Sequence, residues 1–341
     1  MNELNTHAQR LMQPGLIDMH FDLPMDLYEK RGRTGILASD YWNAIARGRI
    51  GVIGVALYIE DKYMPEQALR VALGQIARLR DEVAADSRFA ICRSAADIAA
   101  ARAAGQVALI ITMEGVEPIG SDLDMLRIFH DLGVRSIGLT HARRNMAADG
   151  GVFAPSGSSK QGLTGFGREL IAQCEALGVL IDLAHLNPAG IDDVLSMTRK
   201  PLIVSHTNAR KYCDIERNIT DAHAHAVAQR GGVLGMNAVL VSRAKADTTL
   251  DRYIDHIEHF VTLCGIDAVG IGFDFFEFIY DHLPEADKRM LDRLGGVHFI
   301  PDLTHHGHAE NVVVRLIQRG FDDASIEKIL YKNWLRLLNT L

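Results

Sequence analysis

The sequence predicts a (β/α)8 barrel, an α/β fold in which eight parallel strands, each followed by a helix, close into a cylinder. Three observations predict it. Apolar runs of strand length recur eight times between Gly or Pro boundaries, and most of the segments between them carry helical periodicity. Six of the eight runs end in a side chain that binds metals or carries protons.

The runs are 15–22 (GLIDMHFD), 51–60 (GVIGVALYIE), 107–115 (VALIITMEG), 134–141 (VRSIGLTH), 178–185 (GVLIDLAH), 201–206 (PLIVSH), 231–238 (GGVLGMNA) and 268–274 (AVGIGFD). Helices are expected at 66–83, 97–104, 123–132, 167–177, 191–197, 221–229 and 249–263. Near-continuous apolar strands alternating with helices belong to a parallel sheet covered on its outer face. A doubly wound open sheet has the same alternation, but neither GxGxxG nor GxxxxGK[ST] follows any run. Two stretches break the repeat. Residues 149–167, rich in Gly and Ser, read as a long loop, and 275–308 as a longer excursion, both over the barrel mouth. A helical pair at 309–319 and 323–338 closes the chain, so residues 1–341 read as one domain.

Composition fits a folded protein with a small-molecule partner. Of 341 residues, 48% are hydrophobic and 23% charged, which excludes disorder. The net charge of −7, from 36 Lys and Arg against 43 Asp and Glu with no long basic run, argues against a nucleic-acid or anionic-membrane surface. Cys92, Cys174, Cys213 and Cys264 form no CxxC pair, so neither a disulfide framework nor a thiolate zinc site is expected. The first residues lack an apolar signal region, and no run approaches the ~20 apolar residues of a membrane span; a cytoplasmic location is expected.

In a barrel of this kind the active site forms at the C-terminal strand ends. Those ends carry His20 and Asp22, Glu114, His141, His185, His206 and Asp274. Residues two apart on a strand share a face, so His20 and Asp22 can grip one ion while Phe21 packs outward. Taken singly, each His reads as an ordinary buried histidine. Together, so many ionisable groups at one mouth are costly to bury unless cations compensate them. The set suffices for two ions, with His20 and Asp22 on one, His185 and His206 on the other, and Glu114 bridging. Two ions about 3.5–4 Å apart share and activate a hydroxide, which makes the reaction a hydrolysis. Imidazole and carboxylate without thiolate suit two Zn2+ best, with Mn2+, Fe2+ and Co2+ as the alternative ions for the same donor types. Asp274 is placed as the base that passes a proton to the leaving amine, and His141 as a contact to the scissile carbonyl oxygen.

These residues resemble the membrane dipeptidase (renal dipeptidase) family of amidohydrolase-like metal-dependent hydrolases. The resemblance is carried by IDMHFD, MEGVEPI, LRIFHDLGVRSIGLTH, GLTGFGREL, LIDLAH, LIVSHTNAR, ERNITD, GIGFDF and KNWLRLL, in that order. It implies that His20, Asp22, Glu114, His185 and His206 are zinc ligands, that His141 and Arg217 contact substrate, and that Asp274 accepts the proton. Arg217, which alone reads as a solvated loop residue, would then hold the carboxylate of a dipeptide as a bidentate fork. The resemblance further implies a soluble bacterial-type member, dipeptide substrates that include a D-residue at the C-terminal side, and a homodimer.

The chain also departs from that pattern. Phe276 and Glu277 stand where Asp-Gly is usual, Val116 replaces a small residue, His130 replaces an aromatic, and 239–246 supplies no Tyr. The alternative substrates are therefore N-acyl amino acids, small amides or β-lactam-like rings. A barrel retained as a non-catalytic binding module is the reading from another class, and a complete ligand set argues against it. No GxSxG appears, which leaves a serine hydrolase unsupported. His305, His306 and His308 read as a solvated loop.

Overall fold

A computed structural model of the chain describes residues 3–157, 161–280, 285, 288 and 297–341. Parts of both long loops expected over the mouth lie outside these residues. Among the described residues nine strands form: β1 (Leu16–Phe21), β2 (Ile50–Tyr58), β3 (Phe89–Ile91), β4 (Val107–Glu114), β5 (Val134–Gly138), β6 (Leu180–Asp182), β7 (Ile203–Thr207), β8 (Val233–Met236) and β9 (Val269–Ile271). Their order is β2-β1-β9-β8-β7-β6-β5-β4-β3, all pairs are parallel, and a β2–β4 pairing closes eight of them into a barrel.

β3 is the strand that the periodicity missed. It pairs with β4 at Val107–Leu109, below the stretch from Ile111 onward where β5 pairs, and so lengthens the wall without joining the ring. With three residues it is too short to carry an alternation. Every residue of β1, β4, β7 and β8 is buried, as expected of strands with a filled barrel on one side and helices on the other.

The expected helices form within a few residues of their predicted ends, including Asp221–Gln229 and the closing Ala309–Gln318 and Asn333–Leu338. Helices at Glu3–Leu11, Leu23–Glu29 and Trp42–Arg47 were not foreseen. The last helix explains the KNWLRLL motif. Trp334 is fully buried, donates Nε1–H to the Ile271 carbonyl at 2.9 Å, and lies where a methyl on Gly270 would sit 2.3 Å from Nε1. Asn333 donates to the carbonyls of Ile266 and Val269 at 2.7 and 2.8 Å, so the chain end caps β9 with hydrogen bonds. No helix among the described residues is long and apolar enough to cross a membrane.

Three strands stop a full three residues short of the chemistry-bearing side chains expected to end them. β5 ends at Gly138 rather than His141, β6 at Asp182 rather than His185, and β9 at Ile271 rather than Asp274. The cause is backbone conformation for two of them. His185 has φ +62° and Asp274 φ +58°, left-handed values that cost a non-Gly residue roughly 1–3 kcal/mol and collect at functional sites. The turn at His185 is held from outside, because its carbonyl accepts the Gly151 N–H at 2.6 Å.

Candidate active site

At the C-terminal mouth the strands converge on one buried cluster. His20 and Asp22 come from the end of β1, Glu114 from β4 and His206 from β7, while His185 and Asp274 project from the turns after β6 and β9. Glu114 is central. Its Oε1 lies 3.0 Å from His185 Nε2 and 3.5 Å from His206 Nε2, and its Oε2 lies 3.7 Å from His20 Nε2. His20 Nε2 is also 3.7 Å from Asp22 Oδ1, and the two oxygens of Asp274 each lie 3.8 Å from an imidazole, Oδ1 from His20 and Oδ2 from His206.

The donor set fits a divalent metal. His20 Nε2 and Asp22 Oδ1 are buried and have no hydrogen-bond partner among the described residues, a costly state for lone pairs that water cannot reach. His185 Nε2 and His206 Nε2 face each other at 2.9 Å. Potential ligand atoms of His20, Asp22 and Glu114 lie within 4.8 Å of one another, as do those of His20, His206 and Asp274, and those of Glu114, His141 and His185. His141 thus stands among the potential ligand atoms, closer than its expected role as a carbonyl contact required.

The electrostatics agree. Burial first, then Arg217, lowers the pKa of His20 to about 3, so its imidazole is neutral with a free lone pair. Burial first, then Asp274, lifts Asp22 well above the usual carboxylate range, and burial with Asp22 and Asp274 does the same to Glu114. Burial brings Asp274 to about 6 against the opposing pull of Arg217 and the Asn237 amide. Carboxylates packed this closely favour a cation among them.

Arg217 is 3% exposed rather than solvated. It donates Nη1–H to the His206 carbonyl at 3.2 Å, holds Nη2 3.8 Å from Asp274 Oδ2, and keeps Nε buried without a partner among the described residues. Its backbone explains the placement. Arg217 N–H donates to the Val152 carbonyl at 3.1 Å and Glu216 N–H to the Ala154 carbonyl at 2.6 Å, lacing this segment to the loop that bears Phe153. The Phe153 ring lies 6.1 Å from that of His141 and 6.3 Å from that of His185, and Tyr58 packs 4.8 Å from His141. This aromatic side of the mouth was not anticipated.

Other supports were missed too. Asn237 Nδ2 donates to Asp274 Oδ2 at 2.8 Å, and Ser205 Oγ lies 2.9 Å from His206 Nδ1, which leaves Nε2 facing the cluster. Asp18 and Asp182 are also buried, two residues before His20 and three before His185. A signal for Asp18 existed, since Asp18, His20 and Asp22 follow one another at the two-residue spacing of a single strand face. His306 corrects the reading of its segment as a solvated loop. It is 2% exposed and places Nε2 2.8 Å from Asp18 Oδ2, whereas His305 remains exposed and His308 half-buried.

His256 braces the mouth from outside the cluster. Its Nδ1 accepts the Ala209 N–H and its Nε2–H donates to the Val241 carbonyl, both at 2.9 Å, joining the segments after β7 and β8. Burial lowers its pKa to about 4, against the raising effect of the Val241 bond, with Arg252, Asp255 and His259 nearby. The unfolded chain, at the ordinary 6.5, takes up this proton first as pH falls. The contribution is thus complete above pH 6.5 and is lost between 6.5 and about 4, in total on the order of 3 kcal/mol. Denaturant titrations at pH 7 and pH 5 should show a smaller acid-induced loss in His256→Gln than in the unaltered chain; parallel losses would remove His256 from the account.

A closed parallel barrel with a ring of imidazoles and carboxylates at its C-terminal mouth defines a metal-dependent hydrolase. The membrane dipeptidase (Peptidase family M19) model matches residues 6–288, and the chain belongs to this family. It is a metal-dependent dipeptidase. The chain is 32% identical over 286 residues to an uncharacterized protein in the pqqA 5' region of Klebsiella pneumoniae, covering 82% of this chain and 98% of that one. It is 29% identical over 348 residues to an uncharacterized dipeptidase, C965.12, of Schizosaccharomyces pombe, covering 94% and 79%. Among solved structures it resembles a metallopeptidase from Rhodobacter sphaeroides liganded with a phosphinate mimic of the dipeptide L-Ala-D-Ala, with 27% identity, TM-score 0.83 and coverage of 95% and 98%.

Proposed function

We propose that the chain is a zinc-dependent dipeptidase that hydrolyses the single peptide bond of small dipeptides, including those with a D-residue at the C-terminal side. The observation that carries the metal reading is the pair of buried, unpartnered ligand atoms on His20 and Asp22 beside Glu114. In this reading His20, Asp22, Glu114, His185 and His206 would hold two Zn2+. Bound zinc supplies Lewis acidity and a water activated at neutral pH.

The remaining roles fall to this chain's own groups. Asp274, buried and oriented by Asn237, takes the proton of the attacking water at its carboxylate and delivers it to the leaving amine. His141 donates toward the oxygen of the scissile carbonyl as negative charge develops there. Arg217, a buried guanidinium with an unused Nε–H, pairs with the substrate's free carboxylate and so favours dipeptides over longer chains. The R. sphaeroides relative, liganded with a mimic of L-Ala-D-Ala, supports the tolerance for a D-residue.

The test is amino-acid release by the zinc-reconstituted chain from a panel of L-L and L-D dipeptides, with N-acyl amino acids alongside and Asp274→Asn as control. Release from dipeptides that the variant slows by about a hundredfold or more is the expected result. Release from N-acyl amino acids alone, with two metals bound, would replace this reading with the acyl-amide one.

A further inference from the structure

We infer that Asp18, held by His306, is a positioning residue for the reaction: its carboxylate clips the strand end that bears His20 and Asp22 to the turn that bears Asp274. The inference rests on the site assignment above and adds what keeps two of its walls in register.

β1 and β9 pair at one position, Asp18 with Ile271, and the β1–β2 register shifts between Asp18 and Phe21. The ladder between β1 and β9 therefore gives out below the level at which the functional side chains project. Backbone N–H groups at that level still need acceptors, since they are buried. Asp18 supplies one. Its Oδ1 accepts the His20 N–H at 3.2 Å and the Phe273 N–H at 2.9 Å, while the His20 carbonyl accepts the Asp274 N–H at 3.3 Å. Two segments that diverge are thus held by one carboxylate oxygen.

The second oxygen is fixed from a distant part of the chain. Asp18 is fully buried, and its Oδ2 lies 2.8 Å from His306 Nε2. The His306 ring stands edge-on to Phe21 at 4.7 Å and to Phe275 at 5.1 Å. Its carbonyl presses on the end of helix Trp42–Arg47, where a methyl on Gly48 would sit 2.1 Å away. The carboxylate therefore cannot rotate away from the two N–H groups. The same device recurs across the mouth. β6 and β7 also pair at one position, Asp182 with Ile203, and Asp182 Oδ1 accepts the N–H of Ala184 at 3.0 Å and of Ser205 at 2.9 Å, next to His185 and His206. Two buried aspartates thus replace ladder bonds at the two junctions where ligand-bearing segments splay.

His306→Phe keeps the ring packing and removes the hydrogen bond to Asp18, whereas His306→Gln offers an amide donor in its place. On the full chain, zinc affinity is measured by competition against a chromogenic chelator, together with kcat and KM on a dipeptide and the melting temperature of the apo-protein. His306→Phe should lose about 10–100-fold in zinc affinity and a similar factor in kcat with KM close to the unaltered value, and its apo melting temperature should fall because Asp18 Oδ2 is left buried without this partner. His306→Gln should recover most of both. Unchanged zinc affinity and kcat in His306→Phe, or a Gln variant as impaired as the Phe one, would overturn the clip. His20→Ala serves as the control. If His20→Ala binds zinc like the unaltered chain, the ligand assignment fails and the clip falls with it.

Discussion

Asp274→Asn should leave a folded, metal-loaded protein whose kcat is about 10²–10⁴-fold lower, with KM little changed. The substitution is close to a pure removal of the proton-accepting charge. Asn tolerates the left-handed φ of +58° found at this position, so the turn after β9 is retained. The Asn oxygen still accepts from Asn237 Nδ2, which now donates to the carboxylate at 2.8 Å. Arg217 Nη2, 3.8 Å from Asp274 Oδ2, loses an anionic neighbour but keeps the His206 carbonyl. Steady-state kinetics beside metal analysis decides the matter. A variant with full metal content and kcat within tenfold of the unaltered chain would take Asp274 out of the proton-transfer role.

That turn also marks where the sequence ceases to be legible. The apolar runs and their polar ends are properties of single strands, and a period-two pattern shows which side chains share a face. His20, Asp22, Glu114 and His206 could therefore be placed at one mouth from the chain alone. His185 and Asp274 were found for the right residue type but in the wrong backbone, since neither His nor Asp announces a positive φ. That conformation is imposed by contacts from elsewhere, such as the Gly151 N–H on the His185 carbonyl. His306 escaped for a related reason. Its partner Asp18 is 288 residues away in sequence, and three histidines among polar residues have no local period to separate the buried one from the others. Arg217 needed the resemblance, because its burial depends on lacing to the loop that follows β5. What single-strand periodicity could not supply, in each case, was a contact between segments distant in the chain.

Gly272→Ala tests how tightly those distant segments are packed. The new methyl would sit 1.8 Å from the Ser205 carbonyl oxygen and 3.3 Å from the His206 Cα, so backbone rather than a flexible side chain has to move. The same carbonyl is approached from β8, where a methyl on Gly235 would lie 1.9 Å away. Ser205 is thus gripped between two glycines and has no direction in which to yield cheaply. Overpacking of this kind costs typically 1–3 kcal/mol, and a contact between two main chains belongs at or above the upper end. The consequence extends to chemistry, because Gly272 lies two residues before Asp274 and Ser205 one before His206. A shift of about 1 Å between reacting groups can cost on the order of 10²-fold in rate. Gly272→Ala should therefore lower the denaturant midpoint and kcat together. Gly165→Ala, in open space at the first position of helix Gly165–Leu177, should leave kcat unchanged and hold or slightly raise stability. If Gly272→Ala matched the unaltered chain in both measurements, the packing of β9 against β7 could not be what sets the distance between Asp274 and His206.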